Sequence, residues 1–154
     1  MTDQNNQMTG LVLEGGTFRG IFSAGIMDAF IEAGVEFPYV IGVSAGISKQ
    51  YKRNVEIMDN YRNDKRYIGA GNFLKCKSFF GLDFVYGDVP KELIPFDYDT
   101  YYSYKGKVMV GVTNALTGKS EFLDGLREDK DFYCLRASCA IPGYFPAIEI
   151  DGVP

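Results

Sequence analysis

The sequence predicts an α/β fold, a three-layer α/β/α sandwich around a mostly parallel sheet. Three observations predict it. A strand-like run, an amphipathic helical segment and a second strand-like run follow one another within residues 11–43, the pattern of a βαβ unit with a right-handed crossover. Both apolar runs are closed by glycines, as buried parallel strands commonly are. Strand-like and helix-like segments then keep alternating to the end of the chain, as in sheets whose chemistry collects at the carboxyl ends of the strands.

Taken in order, residues 1–9 are a polar tail and 10–154 a single domain, the length of one ordinary core. "TGLVLEGG" gives the first strand through Leu11, Val12 and Leu13. Phe22, Ile26, Ala29, Phe30 and Ala33 then fall at helical spacing, and Gly34 supplies a stop. "FPYVIGV" reads as the second strand, with its proline at the start, where a missing N–H is tolerated. "NVEIMDNYRNDKRY" is a charged helix, and an aromatic, glycine-punctuated stretch follows around "FLKCKSFFGLDFVYGDVP". "GKVMVGVTNALTGKSEFL" reads as two strands about a turn. "REDKDFYCLRASCA" is expected to be a helix with acidic first turns, and "GYFPAIEIDG" a strand ending in an Asp-Gly turn.

Composition narrows the chemistry. Hydrophobic residues make up 46% of the 154 and charged residues 23%, with 18 glycines, a globular profile rich in tight backbone positions. A net charge of −4 gives no basic footprint, which argues against nucleic acid as a partner. Cys76, Cys134 and Cys139 form no CxxC pair and fit core positions in a reducing compartment. With no apolar run of membrane-spanning length and no leader-like N-terminus, the expectation is a cytoplasmic protein whose membrane contact is peripheral. The chain contains no histidine, so a Ser-His-Asp triad, a Cys-His pair and most catalytic zinc sites cannot be built from it.

Two glycine motifs remain. Gly42-Val43-Ser44-Ala45-Gly46 has the G-x-S-x-G form of a nucleophile elbow, in which small neighbours let a strained turn thrust the serine outward; a purely structural turn is the other reading. "GGTFRG", residues 15–20, lies between the first strand and the first helix, where backbone N–H groups and a helix N-terminus converge on an anion. An oxyanion fits there. A dinucleotide fingerprint wants a G-x-G-x-x-G loop and an acid at the end of the second strand, where this chain has Ser44. "TNALTGKS" lacks the first glycine of a phosphate-binding loop.

The blocks "LVLEGGTFRGIFSAGIMDAFIEAG", "FPYVIGVSAG" and "LRASCAIPGYFPAIEIDG" resemble, in this order, those of the bacterial patatin-like phospholipases. The resemblance implies a Ser-Asp dyad hydrolase of lipid acyl esters, working without metal or organic cofactor. It implies Ser44 as nucleophile, Gly42 and Gly46 as the elbow glycines, and Gly15, Gly16 and the Thr17 position as the oxyanion loop, completed by Arg19 and Gly20. Arg19 is read either as ordering that loop and its anion or as a solvated charge. The chain departs from the family at Thr17, where a third glycine is usual, and after Ile47, where a polar "SKQYKRN" follows at once. Asp151-Gly152-Val153 differs from the family's D-G-[GA], so Asp151 is read as a turn residue and the dyad aspartate is expected beyond Pro154. By the resemblance, residues 10–154 are expected to be the N-terminal portion of a patatin-like domain, with its C-terminal part missing, and the expected function is serine acyl-ester hydrolysis of the phospholipase A or lysophospholipase type. The alternatives are an inactive lipid-binding or regulatory relative and a serine acyltransferase. Phe73, Phe79, Phe80, Phe84 and Tyr86 are read as core packing, with an acyl channel as the second reading.

Overall fold

A computed structural model of the chain describes residues 9–16, 19–44, 50–127 and 131–154. The first strand, β1 (Gly10–Leu13), leads into helix α1 (Gly20–Glu32) and strand β2 (Tyr39–Val43). Gly34 ends the helical stretch at a φ of +67°, the left-handed conformation glycine adopts without steric cost. Helices α2 (Arg53–Tyr61) and α3 (Ala70–Cys76), a π-helical segment (Phe84–Leu93) and helix α4 (Tyr98–Tyr102) then lead to β3 (Lys107–Thr113), β4 (Ser120–Asp124) and helix α5 (Tyr133–Cys139).

The sheet runs in the order β1-β2-β3-β4. Its first three strands are parallel, with Leu11 opposite Val40 and Val40 opposite Val108. The last pairs antiparallel, with Val110 opposite Leu123. The hairpin between β3 and β4 turns on Asn114, whose side-chain oxygen accepts from the N–H groups of Leu116 and Thr117 at 2.9 and 3.1 Å. The α/β class with a mostly parallel sheet follows directly.

Alternation assigns each strand residue to a face. Leu13, Val40, Val108 and Val110 are buried on one face, where α1 contributes Met27 and α5 contributes Leu135 to the same core. The opposite face holds Val12, Val43 and Phe122, exposed at 71, 42 and 55%, and the described residues leave it largely uncovered. Strand order accounts for this. Parallel strands added always in one direction, each by a right-handed crossover, send every crossover over the same face.

Two local expectations are corrected. No acidic residue lies in the first turn of α5, which starts at Tyr133 after Phe132 takes a left-handed φ of +54°. "GYFPAIEIDG" forms no strand: it contributes isolated bridges, Pro142 to Phe145 and Ile150 to Val153, although the Asp-Gly turn is present. The aromatic middle is helical, and its π-helical segment contains Pro90. Phe84, Val89 and Ile94 form a second small core there.

Candidate active site

Strand β2 delivers its last residue beside the first turn after β1, because Leu13 and Gly42 are in register. Gly42 itself is a buried strand residue between Leu13 and Val110. Immediately beyond β2, Ser44 takes a φ of +59°. Cβ-bearing residues rarely adopt that region, and such strain persists only where surrounding contacts enforce it. Those contacts come from α5. The Ser44 N–H donates to Ser138 Oγ at 2.7 Å, and the Ser138 hydroxyl donates onward to the Gly111 carbonyl of β3 at 2.6 Å. One hydroxyl thus ties the turn, the helix and the neighbouring strand together.

The glycine-rich loop lies against this turn. A Cβ built on Gly15 would stand 3.2 Å from the Ser44 Cβ, so a side chain here would crowd the serine and a glycine lets the backbone approach it. The Gly16 carbonyl accepts from the Arg19 N–H at 2.9 Å, closing the turn into α1. Arg19 is exposed, yet its Nε lies 3.7 Å from the place a Gly16 Cβ would occupy, so its side chain folds back over the loop. Gly20, the first residue of α1, and Ser44 line one cavity. Thr17 and Gly46, and the departure after Ile47, lie outside the described residues.

That cavity has a volume of about 220 Å³. Its wall is apolar and aromatic, with Ile57, Val85, Leu135 and Phe145 among its residues, and no aspartate or glutamate among the described ones. Ser44 Oγ stands 3.6 Å from the Cys139 thiol, which in turn meets the Tyr86 hydroxyl at 3.0 Å. Burial pushes the Cys139 thiol up and the Tyr86 phenol well up from their ordinary values. Both keep their protons at neutral pH, so neither offers the serine a base. Asp151 sits in the exposed terminal turn at a φ of +52°. Arg127 holds its carboxylate through two bonds of 3.0 and 3.2 Å and lowers its pKa.

Sequence reasoning placed Cys139 among core residues; it lines the cavity against Ser44 instead, whereas Cys134 is in the core. The aromatic group divides. Phe80 and Tyr86 line the cavity and Phe84 is core. Phe73 and Phe79 stack on each other, each 51% exposed. Ser138 and Arg53, both close to the cavity or its turn, carry no functional role in the sequence reading. Ser138 does fall within the third family-like block, the one signal that pointed to it. Among the described residues, no group of three or more His, Cys, Asp or Glu could hold a metal ion, and no helix is long and apolar enough to cross a membrane.

Comparison with known proteins agrees with the first two sequence blocks. Residues 11–48 match the family model of the patatin-like phospholipases, a segment that contains both glycine motifs and Ser44. The chain is also similar to uncharacterized protein YjjU of Escherichia coli (strain K12), 27% identical over 156 residues, covering 93% of this chain. The chain spans 43% of that relative's length.

Proposed function

We propose that this chain carries the nucleophile and oxyanion loop of a serine acyl-ester hydrolase acting on lipids, of the phospholipase A or lysophospholipase type. The observation that carries this reading is the junction of Ser44, at a φ of +59°, with the Gly15 backbone. The family match over residues 11–48 supports it independently. In the complete protein, Ser44 Oγ would attack the ester carbonyl carbon and give its proton to a dyad aspartate that is not among the described cavity residues. Amides of the Gly15–Gly16 loop stabilise the tetrahedral oxyanion, a donor function worth about 3–4 kcal/mol each in acyl-transfer enzymes. The leaving alcohol takes the proton back, and water then releases the acyl group from the serine. Arg19 orders the loop, and the apolar cavity holds acyl chain. Contact with a membrane surface would be peripheral.

A second reading is favoured by one observation: among the described residues the Ser44 hydroxyl meets a protonated thiol, not a carboxylate. On that reading the chain binds lipid without turning it over. A fluorophosphonate probe, which reacts with activated serines, separates the two. Labelling of the folded chain that disappears in Ser44→Ala supports the hydrolase; a folded protein that carries the dyad aspartate and still takes no label supports the binder.

A further inference from the structure

Arg53 opens α2 and is only 6% exposed. A buried guanidinium is costly unless its charge is compensated. Its Nη1 donates to the carbonyls of Ile94 and Pro95, the second at 3.0 Å, and its Cζ lies 5.2 Å from the centre of the Phe96 ring. These contacts satisfy hydrogen bonds but bring no full negative charge. The ion pairs among the described residues belong to Arg66, Lys91, Arg127 and Arg136, and Arg53 has none. It stands at the positive end of a nine-residue helix, where Asp28 Oδ1 accepts from the preceding Lys52 N–H at 2.9 Å but makes no bond to the guanidinium. Glu56, one turn along, acts on it only through space.

Arg53 lines the same cavity as Ser44, whose remaining wall is mostly apolar. A buried donor without an acceptor belongs to the adjoining aromatic cluster: the Tyr98 hydroxyl is buried with no hydrogen-bond partner, and the Tyr98 ring is 5.0 Å from Phe96. We propose that Arg53 is the anion-binding residue of this cavity, taking the oxyanionic end, phosphate or carboxylate, of a single-chain amphiphile whose apolar chain lies beside Ser44. A volume of about 220 Å³ is below the roughly 300–1,000 Å³ of sites that enclose a drug-sized ligand, so it suits one chain rather than two. The inference takes the lipid nature of the ligand from the reading above, but it does not require the ligand to be cleaved.

The test is calorimetric binding to the full chain carrying Ser44→Ala, with octyl phosphate, octanoate, octanol and inorganic phosphate as probes. Octyl phosphate or octanoate is expected to bind at least about tenfold more tightly than octanol, equivalent to ~1.4 kcal/mol. That preference weakens with added salt, disappears in Arg53→Gln and survives in part in Arg53→Lys. The better of the two charged probes identifies the anion. Equal binding of charged and uncharged octyl probes overturns the proposal, as does inorganic phosphate binding as tightly as octyl phosphate, which would mark a free-anion site. If Arg53→Gln melts early, the comparison of probes on the Arg53-containing chain decides. Failure of serine labelling leaves these results untouched, so the two readings fall separately.

Discussion

At the scale of single residues, the site depends on a serine that no local motif announces. Ser138 accepts from the Ser44 N–H and donates to the Gly111 carbonyl, so Ser138→Ala strands two partly buried backbone groups at once. Leaving such groups unpaired costs about 1–3 kcal/mol, which in a chain of this size lowers the melting temperature by roughly 2–4 °C per kcal/mol. Ser44 would also lose the bond that holds its left-handed φ. We therefore expect Ser138→Ala to melt earlier and to slow fluorophosphonate labelling by more than its unfolded fraction explains. Thermal melts and labelling time courses on one preparation check this, and an unchanged labelling rate would show that Ser138 serves only the fold. Ser44 and Gly15 were legible because their pattern is contiguous. Ser138 and Cys139 lie 94 and 95 residues along from Ser44, and only the folded chain reveals them as its neighbours.

Among the elements, glycines report how closely segments are packed. A Cβ on Gly81, just before the π-helical segment, would sit 2.0 Å from the Arg66 carbonyl oxygen, whereas one on Gly71 inside α3 meets nothing within 4 Å. The same substitution should therefore have opposite signs. Gly81→Ala forces backbone apart and is expected to destabilise by about 1–3 kcal/mol, as overpacking does. Gly71→Ala removes unfolded-state freedom from the first turn of a helix and should stabilise by roughly 0.4–1 kcal/mol. Urea denaturation of both variants checks the pair, and a shared sign would refute the packing described around Gly81. The elements read best from sequence were β1, β2 and the β3-β4 hairpin, whose short apolar runs end at glycine or Asn/Gly turns. The middle was opaque for a physical reason. Aromatic residues suit strand, helix and loop alike, and the π-helical segment from Phe84 to Leu93 with Pro90 inside it follows neither the 3.6-residue nor the two-residue period. The terminal "GYFPAIEIDG" has strand-like residues but only isolated bridges, because β propensity is realised through pairing with a neighbouring strand.

For the whole molecule, titration links the aromatic core to stability. Burial raises the pKa of Tyr67, Tyr86 and Tyr101 above the ordinary 10.0 and that of Cys139 above 9.0. The folded state therefore holds these protons more tightly than the unfolded chain. Their contribution is fully present below the unfolded values and is lost as pH rises past about 9 to 10 towards the folded ones. The acid side works in the opposite sense. Hydrogen bonds from Arg66, Thr100, Lys91 and Arg127 lower the pKa of Asp64, Asp97, Asp131 and Asp151 respectively. That stabilisation is present above the ordinary carboxylate value of 3.8 and fades as pH falls through the lowered ones. All four carboxylates are solvent-screened, so the acid limb should be shallow. The expected profile is a plateau at intermediate pH, a gentle acid decline and a steep alkaline one. Absorbance at 295 nm, followed alongside far-ultraviolet circular dichroism, supplies the check: part of the signal from the 11 tyrosines should appear only when the helices unfold. If every phenol titrates near pH 10 while the fold persists, Tyr67 and Tyr86, which line the Ser44 cavity, are packed more loosely than their burial implies.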